Sequence, residues 1–215
     1  VTIKVPFFIN NNLIEQIVNK KLSWIKKQLS IQSKFVPFEK KLYVNYEKFL
    51  YLGKYYKLRI IKNKNYSVNI ESDFLQVNVK NELNILKIKK LLKEWFYEKS
   101  FIYFKKETHN CAKKNHLKIN SVKVREYKAR WGSCSNNGDI SFNWRLIMAP
   151  PKIIEYVIIH ELMHIKEHNH SPKYWNYVKL LYPNINEAKK WLMYNGQTLN
   201  TVSYTHLRAH ETIPD

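Results

Sequence analysis

The spacing of hydrophobic and polar residues changes several times along this chain, and each change marks a different predicted element. Between residues 11 and 30 the apolar residues recur at near-helical spacing, and Asn11 or Asn12 can cap the start of this helix. Between residues 42 and 79 the pattern changes to short runs rich in Tyr, Val and Ile, separated by Asn, Gly, Ser and Asp. These runs predict a small antiparallel sheet with Gly53 in a hairpin turn.

The second half of the chain begins with a long helical pattern over residues 81–116. Two predicted strands follow, SVKVREY and GDISFNWRLI, joined through KARWGSCSNN, and helices are then predicted at about residues 150–168, 171–182 and 185–195. Because helices and strands do not alternate regularly, this order predicts an α+β fold. We expect two domains, with the first helix and a small β-rich subdomain in residues 1–80, and a second domain in residues 81–200.

Composition narrows the class of protein. Hydrophobic residues make up 45% of the 215 residues, which is typical of a globular chain. The sequence shows neither a secretory signal pattern nor an apolar run near the roughly 18 residues that span a bilayer, so we predict a cytoplasmic protein without a membrane partner. Two cysteines are too few for a disulfide framework. Residues 202–215, VSYTHLRAHETIPD, do not resemble a continuation of the fold, and we interpret them as a non-native tail.

The net charge of +20, from 37 basic and 17 acidic residues, would ordinarily indicate a polyanionic partner such as nucleic acid or a nucleotide. Only five of the basic residues are Arg, the residue that reads bases and phosphates in a bidentate way, and the others are Lys. Lys, Asn, Ile, Tyr and Phe are all abundant and share A/T-rich codons. The charge therefore has two explanations, a polyanionic partner or genome composition.

The stretch VIIHELMHIKEHNHSP, residues 157–172, contains the chemistry that stands out most in the sequence. His160 and His164 are four residues apart, so on a helix both imidazoles lie on one face and can bind one Zn²⁺. Glu161 follows His160 and can take a proton from the attacking water, as in the H-E-x-x-H motif. A strongly apolar run precedes the motif, and a buried helix does not carry such side chains without partners.

A third protein ligand is needed if one position is to stay open for water. His170 lies six residues after His164, which is the spacing of the longer zinc motif H-E-x-x-H-x-x-G-x-x-H, although Glu167 stands where that motif has Gly. Asn169 could end the helix, and Ser171 with Pro172 could start the next one. His168 and Glu187 are the alternative third ligands.

The segment from REYKARWGSCS to YWNYVKLLYPN resembles the YgjP-like metallopeptidase domain family, also called DUF45, of predicted metal-dependent hydrolases. The shared pattern is R-W-G-S-C-S, G-x-I-x-x-N, A-P, Y-V-x-x-H-E-L-x-H and N-H-S-x-x-x-W, and weaker similarity reaches the start of the chain. The resemblance implies a zincin-like fold, with a small antiparallel or mixed sheet packed on the long helix and the motif helix. It also implies metal ligands at His160, His164 and His170 and a catalytic carboxylate at Glu161.

Zincin-like folds bind an extended substrate by backbone pairing at an edge strand beside the metal, and WGSCS and GDISFN are both candidates for that edge. Gly132 permits close approach of another chain. We therefore expect substrate-binding residues among five positions, although a sheet-end role for the last of them is equally open: Arg130, Trp131, Gly132, Ser133 and Asn143.

Several other side chains near these motifs have weaker claims to a role. Cys134 has no C-x-x-C partner and is a poor candidate for a nucleophile. The oxyanion partner is left open among Arg125, Arg130 and Tyr127. Aromatic residues of the last helices are expected to pack the core rather than contact substrate: Tyr156, Trp175, Tyr177 and Trp191.

The leading hypothesis is a zinc-dependent hydrolase, specifically a metallopeptidase acting on peptides or proteins. One alternative keeps the metal and changes the substrate to nucleoside triphosphates, as in a pyrophosphatase or phosphatase, but four Gly in the chain leave no Gly-rich phosphate loop. The other alternative is a DNA-associated, protease-like module of a repair or restriction system, which would bind DNA in a salt-dependent way.

Overall fold

The computed structural model describes residues 9–33 and 41–200. The chain divides into two compact units, Val1–Val36 and Pro37–Asp215. In the first unit, helix α1 spans Asn11–Gln32, which confirms the helix predicted over residues 11–30. The domain boundary predicted after residue 80 falls inside the second unit and stays a prediction about folding domains. The tail predicted at residues 202–215 lies outside the described residues.

A four-stranded sheet opens the second unit. Its strands are β1 (Lys48–Tyr51), β2 (Lys54–Lys62), β3 (Ser67–Glu71) and β4 (Phe74–Val79), in the spatial order β1-β2-β4-β3. The antiparallel sheet predicted from residues 42–79 is wrong, because β2 and β4 are parallel, whereas the mixed sheet that the resemblance also allowed is confirmed. The chain reaches β4 through β3, which pairs antiparallel with the far side of β4, so β4 runs in the same direction as β2.

The hairpin between β1 and β2 turns at Leu52 and Gly53, as predicted for Gly53. Both residues have positive φ, 50° and 76°, which is the backbone that tight two-residue hairpins require. The turn is also a docking point, since the N–H groups of Leu52 and Gly53 donate to the carbonyls of Ile147 and Met148 at 2.8 and 3.1 Å. A Cβ at Gly53 would lie 2.8 Å from the Cα of Pro150.

The long helix α2, Ile85–Lys114, is the central element of this unit. Asn84 caps its start by accepting a hydrogen bond from the Lys87 N–H. One side of the helix is buried at roughly helical spacing and contacts the four-stranded sheet, β5 and α3: Ile88, Leu92, Trp95, Phe96, Ser100, Phe104, Thr108 and Ala112.

A second sheet of three strands follows: β5 (Ser121–Arg125), β6 (Gly132–Cys134) and β7 (Asp139–Asn143), in the order β5-β7-β6. Strand β7 is central, because it is parallel to β5 and antiparallel to β6. GDISFN therefore cannot be the substrate-pairing edge, since both its sides are already hydrogen-bonded. The short strand β6, from WGSCS, is at an edge.

Three helices complete the unit: α3 (Pro151–Met163), α4 (Pro172–Leu181) and α5 (Ile185–Asn195). Short 3-10 helices occupy Trp144–Met148, before α3, and Gly196–Asn200. The α+β fold class is confirmed, and no helix within residues 9–33 and 41–200 is long and apolar enough to cross a membrane. Helix α3 ends at Met163 and is therefore shorter than the helix predicted over residues 150–168.

Candidate metal centre

The imidazoles of His160, His164 and His170 come together at the end of α3. We call them the imidazole cluster. Their nearest ligand atoms all lie within 4.8 Å of one another, and the Nε2 atoms of His160 and His170 are 3.2 Å apart. Two nitrogens that share a tetrahedral zinc ion at about 2.0–2.1 Å are about 3.3 Å apart. The cluster therefore has the donor type that a divalent ion takes, and its His160–His170 pair has the spacing of two zinc ligands.

Local folding explains how three residues from one short stretch converge. His160 lies in the last turn of α3, His164 caps its C-terminal end, and His170 lies just before α4. The predicted role of Asn169 in ending the helix is wrong, because the His164 N–H already bonds the Glu161 carbonyl, three residues back, at 3.3 Å. Ser171 caps α4 as predicted, accepting from the Tyr174 N–H at 3.2 Å, with Pro172 at the first position.

The competing third ligands lie elsewhere. His168 and Glu187 are both exposed, and neither belongs to a cluster of potential ligands in the part of the chain that the structure describes. The Nδ1 of His164 contacts the carbonyl of Glu167 at 3.3 Å, so this nitrogen carries the proton and Nε2 is left for an ion.

The imidazole cluster is held in its uncharged form. Burial lowers the pKa of His160 to about 3, and the repulsion that a second protonated imidazole at His164 or His170 would cause acts in the same direction. Burial also lowers the pKa values of His164 and His170. Neutral imidazole is the form that binds metal, so these three candidate ligands are in the required protonation state at neutral pH.

Glu161 lies in the last turn of α3 and is only 5% exposed. Burial raises its pKa to about 8, and the positive charge of Arg130 acts against this shift. A carboxyl group that changes protonation near neutral pH can both accept and return a proton during catalysis.

The backbone of β6 lies directly against this carboxylate. A Cβ added to Gly132 would be 2.5 Å from Oε1 of Glu161 and 2.6 Å from its Cγ, so position 132 has no room for a side chain. Gly132 had been predicted to allow close approach of another chain. The structure brings Gly132 against the carboxylate, a contact that its position in the sequence did not reveal.

The hydrogen-bond pattern of β6 leaves backbone groups facing outward. The Asn143 N–H bonds the Trp131 carbonyl at 2.8 Å, and the Ser135 N–H bonds the Asp139 carbonyl at 2.9 Å. Because bonded residues alternate along an antiparallel pair, the N–H and C=O groups of Gly132 and Cys134 point away from β7. The outward edge of β6 therefore carries backbone groups that β7 does not pair, on the strand whose Gly132 packs against Glu161.

The remaining predicted residues take different places around this edge. The Asn143 side chain donates to the carbonyls of Tyr127 and Arg130 at 3.0 and 3.2 Å, so its amide braces the loop before β6. Arg130 is exposed on that loop, and Ser133 Oγ lies 3.0 Å from the Tyr127 hydroxyl. The Trp131 ring lies against Gly196, where an added Cβ would be 3.0 Å away.

Cys134 is unsuited to nucleophilic attack. Burial, with a smaller effect from Glu161, raises the pKa of its thiol to about 11. The thiol therefore stays protonated at neutral pH.

Sequence reasoning missed two aromatic residues of the site. Tyr174 is fully buried, and its ring stacks on that of His164 with centroids 4.6 Å apart. Trp175 packs against the core, as predicted, and also stacks on His170 at 5.5 Å with an interplanar angle of 22°. The signal was its fixed position in N-H-S-x-x-x-W, because the first turn of α4 returns over the cluster.

Comparisons with known proteins identify a family for this chain. A family model described as YgjP-like, metallopeptidase domain, matches residues 1–195. Among solved structures, the chain is similar to the crystal structure of the metallopeptidase zymogen abylysin of Pyrococcus abyssi, with 21% identity over 42% of this chain and 91% of that one, and a TM-score of 0.39. No curated protein sequence matches the chain.

Proposed function

The chain belongs to the YgjP-like metallopeptidase domain family and is a metal-dependent peptidase, and from this premise we propose that it is a zinc peptidase of the H-E-x-x-H type. The observation that carries the proposal is the convergence of the imidazole cluster beside a buried Glu161. Zinc is the favoured ion because three neutral imidazoles leave a fourth tetrahedral position open, as in catalytic zinc sites.

His160, His164 and His170 would hold the ion through their ring nitrogens. A bound divalent ion would supply Lewis acidity to the scissile carbonyl and the attacking water. Glu161 accepts the proton of that water and later delivers it to the leaving nitrogen. Its raised pKa of about 8 in the ion-free site favours the protonated form that donates to the leaving nitrogen, and a bound cation nearby would favour the ionised form that accepts the proton of water.

The outward edge of β6 would bind the substrate backbone. An extended peptide can add as a further antiparallel strand, using the groups of Gly132 and Cys134 that face away from β7. This pairing would carry the scissile bond past Glu161, against which Gly132 packs. Arg130, whose charge reaches Glu161, is the favoured partner for the developing oxyanion among the three candidates.

The test is metal analysis with peptide and nucleotide hydrolysis on the same samples. Wild type should hold one zinc per chain and cleave an unstructured protein such as casein. His170→Ala should lose both properties, whereas His168→Ala, the matched control on the same turn, should keep them. Release of phosphate or pyrophosphate from nucleoside triphosphates, without peptide cleavage, would replace the peptidase with the nucleotide hydrolase.

One observation favours a second function, association with nucleic acid. Parallel pairing of β2 and β4 brings the ends of both strands together, and Lys62, Lys64 and Lys80 line an open hollow there. Lys80 and Lys87 also lie over the exposed ring of Tyr66, at 5.6 and 4.2 Å from its centroid. We call these four lysines and Tyr66 the lysine hollow.

None of these four lysines forms an ion pair with a carboxylate within residues 9–33 and 41–200, whereas six other lysines do. Unpaired cations around an exposed aromatic ring fit the phosphates and bases of a single strand. Binding of a 20-nucleotide oligothymidylate should weaken with salt. Changing the four lysines to Gln should lower the salt slope by about 3.

A matched variant distinguishes binding at the lysine hollow from an effect of net charge alone. Lys118, Lys152, Lys179 and Lys190 are exposed, and changing them to Gln removes the same charge elsewhere. Equal losses in the two quadruple variants would mean that the +20 charge acts without a specific surface.

A further inference from the structure

The carbonyl of His160 has lost its normal helical partner. In a continuing helix it would accept from the N–H of His164, but that N–H bonds Glu161 instead, because α3 ends at Met163. The hydroxyl of Tyr174 donates to the His160 carbonyl at 2.8 Å. A side chain eleven residues beyond the helix end thus takes the place of a backbone bond within the site.

The ring of Tyr174 also contacts the whole imidazole cluster. It is stacked on His164, with centroids 4.6 Å apart, and meets His170 and His160 edge-on at 4.8 and 5.4 Å. Because Tyr174 is fully buried, its ring has little room to move. One rigid side chain therefore touches all three candidate ligands.

His160, the most buried histidine of the cluster, lacks the hydrogen bond that usually orients a metal-binding imidazole. A metal-binding histidine normally donates its second ring nitrogen to a carboxylate, a carbonyl or water, and this bond fixes the ring. The Nδ1 of His160 is buried and has no hydrogen-bond partner among the described residues. The orientation of this ring must come from packing and from the backbone bond that Tyr174 makes.

His170 needs support for a different reason. It is exposed and lies in the connection between two helices, where backbone motion is least restrained. Trp175 stacks on its ring, and the Nζ of Lys189, from α5, lies 3.8 Å from the centroid of Trp175. The first turn of α4 therefore supports the exposed ligand as well as the buried one.

We propose that Tyr174 is a positioning residue, which sets the imidazole cluster at ligand geometry before an ion binds, with Trp175 supporting His170. The inference rests on the proposed metal site and adds the residue that preorganises it. Tyr174 does not contact the reacting atoms. Its effect is expected on ion affinity and coordination geometry rather than on the proton transfers of Glu161.

The test compares Tyr174→Phe and Tyr174→Leu with wild type. Zinc affinity is measured by competition with a chromophoric chelator, and coordination geometry is measured from the visible absorption spectrum of the cobalt-substituted protein. Loss of the hydroxyl alone should weaken zinc binding about tenfold, and loss of the ring about 100-fold, with a changed cobalt spectrum. Phe should thus recover part of what Leu loses.

Tyr177 provides the control, because it lies on the same helix, is half-buried, and contacts Lys166 rather than the cluster. Tyr177→Phe and Tyr177→Leu should keep wild-type affinity and spectrum. If Tyr174→Leu does not fold, Tyr174→Phe carries the test. Wild-type affinity and spectrum in every folded Tyr174 variant would overturn the inference, while a wild type that binds no ion would overturn the proposed function instead.

Discussion

The imidazole cluster and the lysine hollow each bring together side chains that repel one another when charged, and the repulsion is reduced in opposite ways. In the cluster, burial lowers the pKa of each imidazole, so no charges repel. In the hollow, Lys62, Lys64 and Lys80 are exposed and water screens their charges. The comparison indicates in which region function and stability depend on the same residues. Substitutions in the buried site should have large effects on activity or stability, and substitutions in the hollow should have small ones.

The largest effect should come from Glu161→Gln. Removing the group that moves the proton should reduce peptide hydrolysis on the order of 10²–10⁴-fold, while the zinc content stays unchanged because the three imidazoles remain. Hydrolysis rate and bound zinc should be measured on the same preparation. A fully active variant would contradict the role given to Glu161.

The next effect should come from Gly132→Ala. The new Cβ would lie 2.5 Å from Oε1 of Glu161, so the carboxylate must shift, and activity should fall by roughly 10²-fold together with a lower melting temperature. Ser133→Ala on the same strand is the control, and it should change activity and melting temperature only slightly. Adding Glu161→Ala to Gly132→Ala should restore the melting temperature but not the activity, since the clash is removed with the carboxylate.

A smaller effect concerns the metal-free protein and pH. The pKa of Glu161 is raised from 4.5 to about 8, so its contribution to stability is present below pH 4.5 and is lost as pH rises toward 8. Metal-free Glu161→Gln should therefore gain stability over wild type between these pH values, by a few kcal/mol at most. Urea unfolding at pH 4.5 and pH 8.5 measures the difference, and an unchanged or reversed difference would contradict the burial effect.

The smallest effect should come from the lysine hollow. Changing Lys62, Lys64, Lys80 and Lys87 to Gln should leave hydrolysis unchanged and alter the free energy of unfolding by less than about 0.5 kcal/mol per site. The four substitutions should stabilise the protein slightly at low salt, because the mutual repulsion of the lysines is relieved. A large loss of stability would show that the hollow is part of the packed structure, which would break the contrast with the cluster.

The sequence contained the ligand spacing but not the end of the helix that positions it. Nothing in residues 164–168 breaks a helix, so local pattern predicted continuation, whereas the structure ends α3 at Met163 with Tyr174 bound to a carbonyl of its last turn. A long-range hydrogen bond of this kind leaves no local signal. Tyr174 and Trp175 were hidden for a related reason, because aromatic residues on an amphipathic helix usually mark a core face.

The pairing of the strands was likewise beyond what local sequence pattern can predict. The parallel pairing of β2 with β4 depends on where β3 lies, and strand order cannot be read from alternation alone. Strand β6 has three residues, too few for a periodic pattern, yet it is the edge strand whose Gly132 packs against Glu161. Family resemblance suggested two segments for that edge, and only the pairing of β7 on both sides distinguished them.

The hairpin turn at Leu52 and Gly53 has a practical consequence for anyone who trims this protein. Its two N–H groups satisfy the carbonyls of Ile147 and Met148, just ahead of the helix that carries His160. A shortened gene product starting at residue 81 would expose those carbonyls and remove the brace on Pro150. Expression of the second half alone is thus expected to give an insoluble or inactive product.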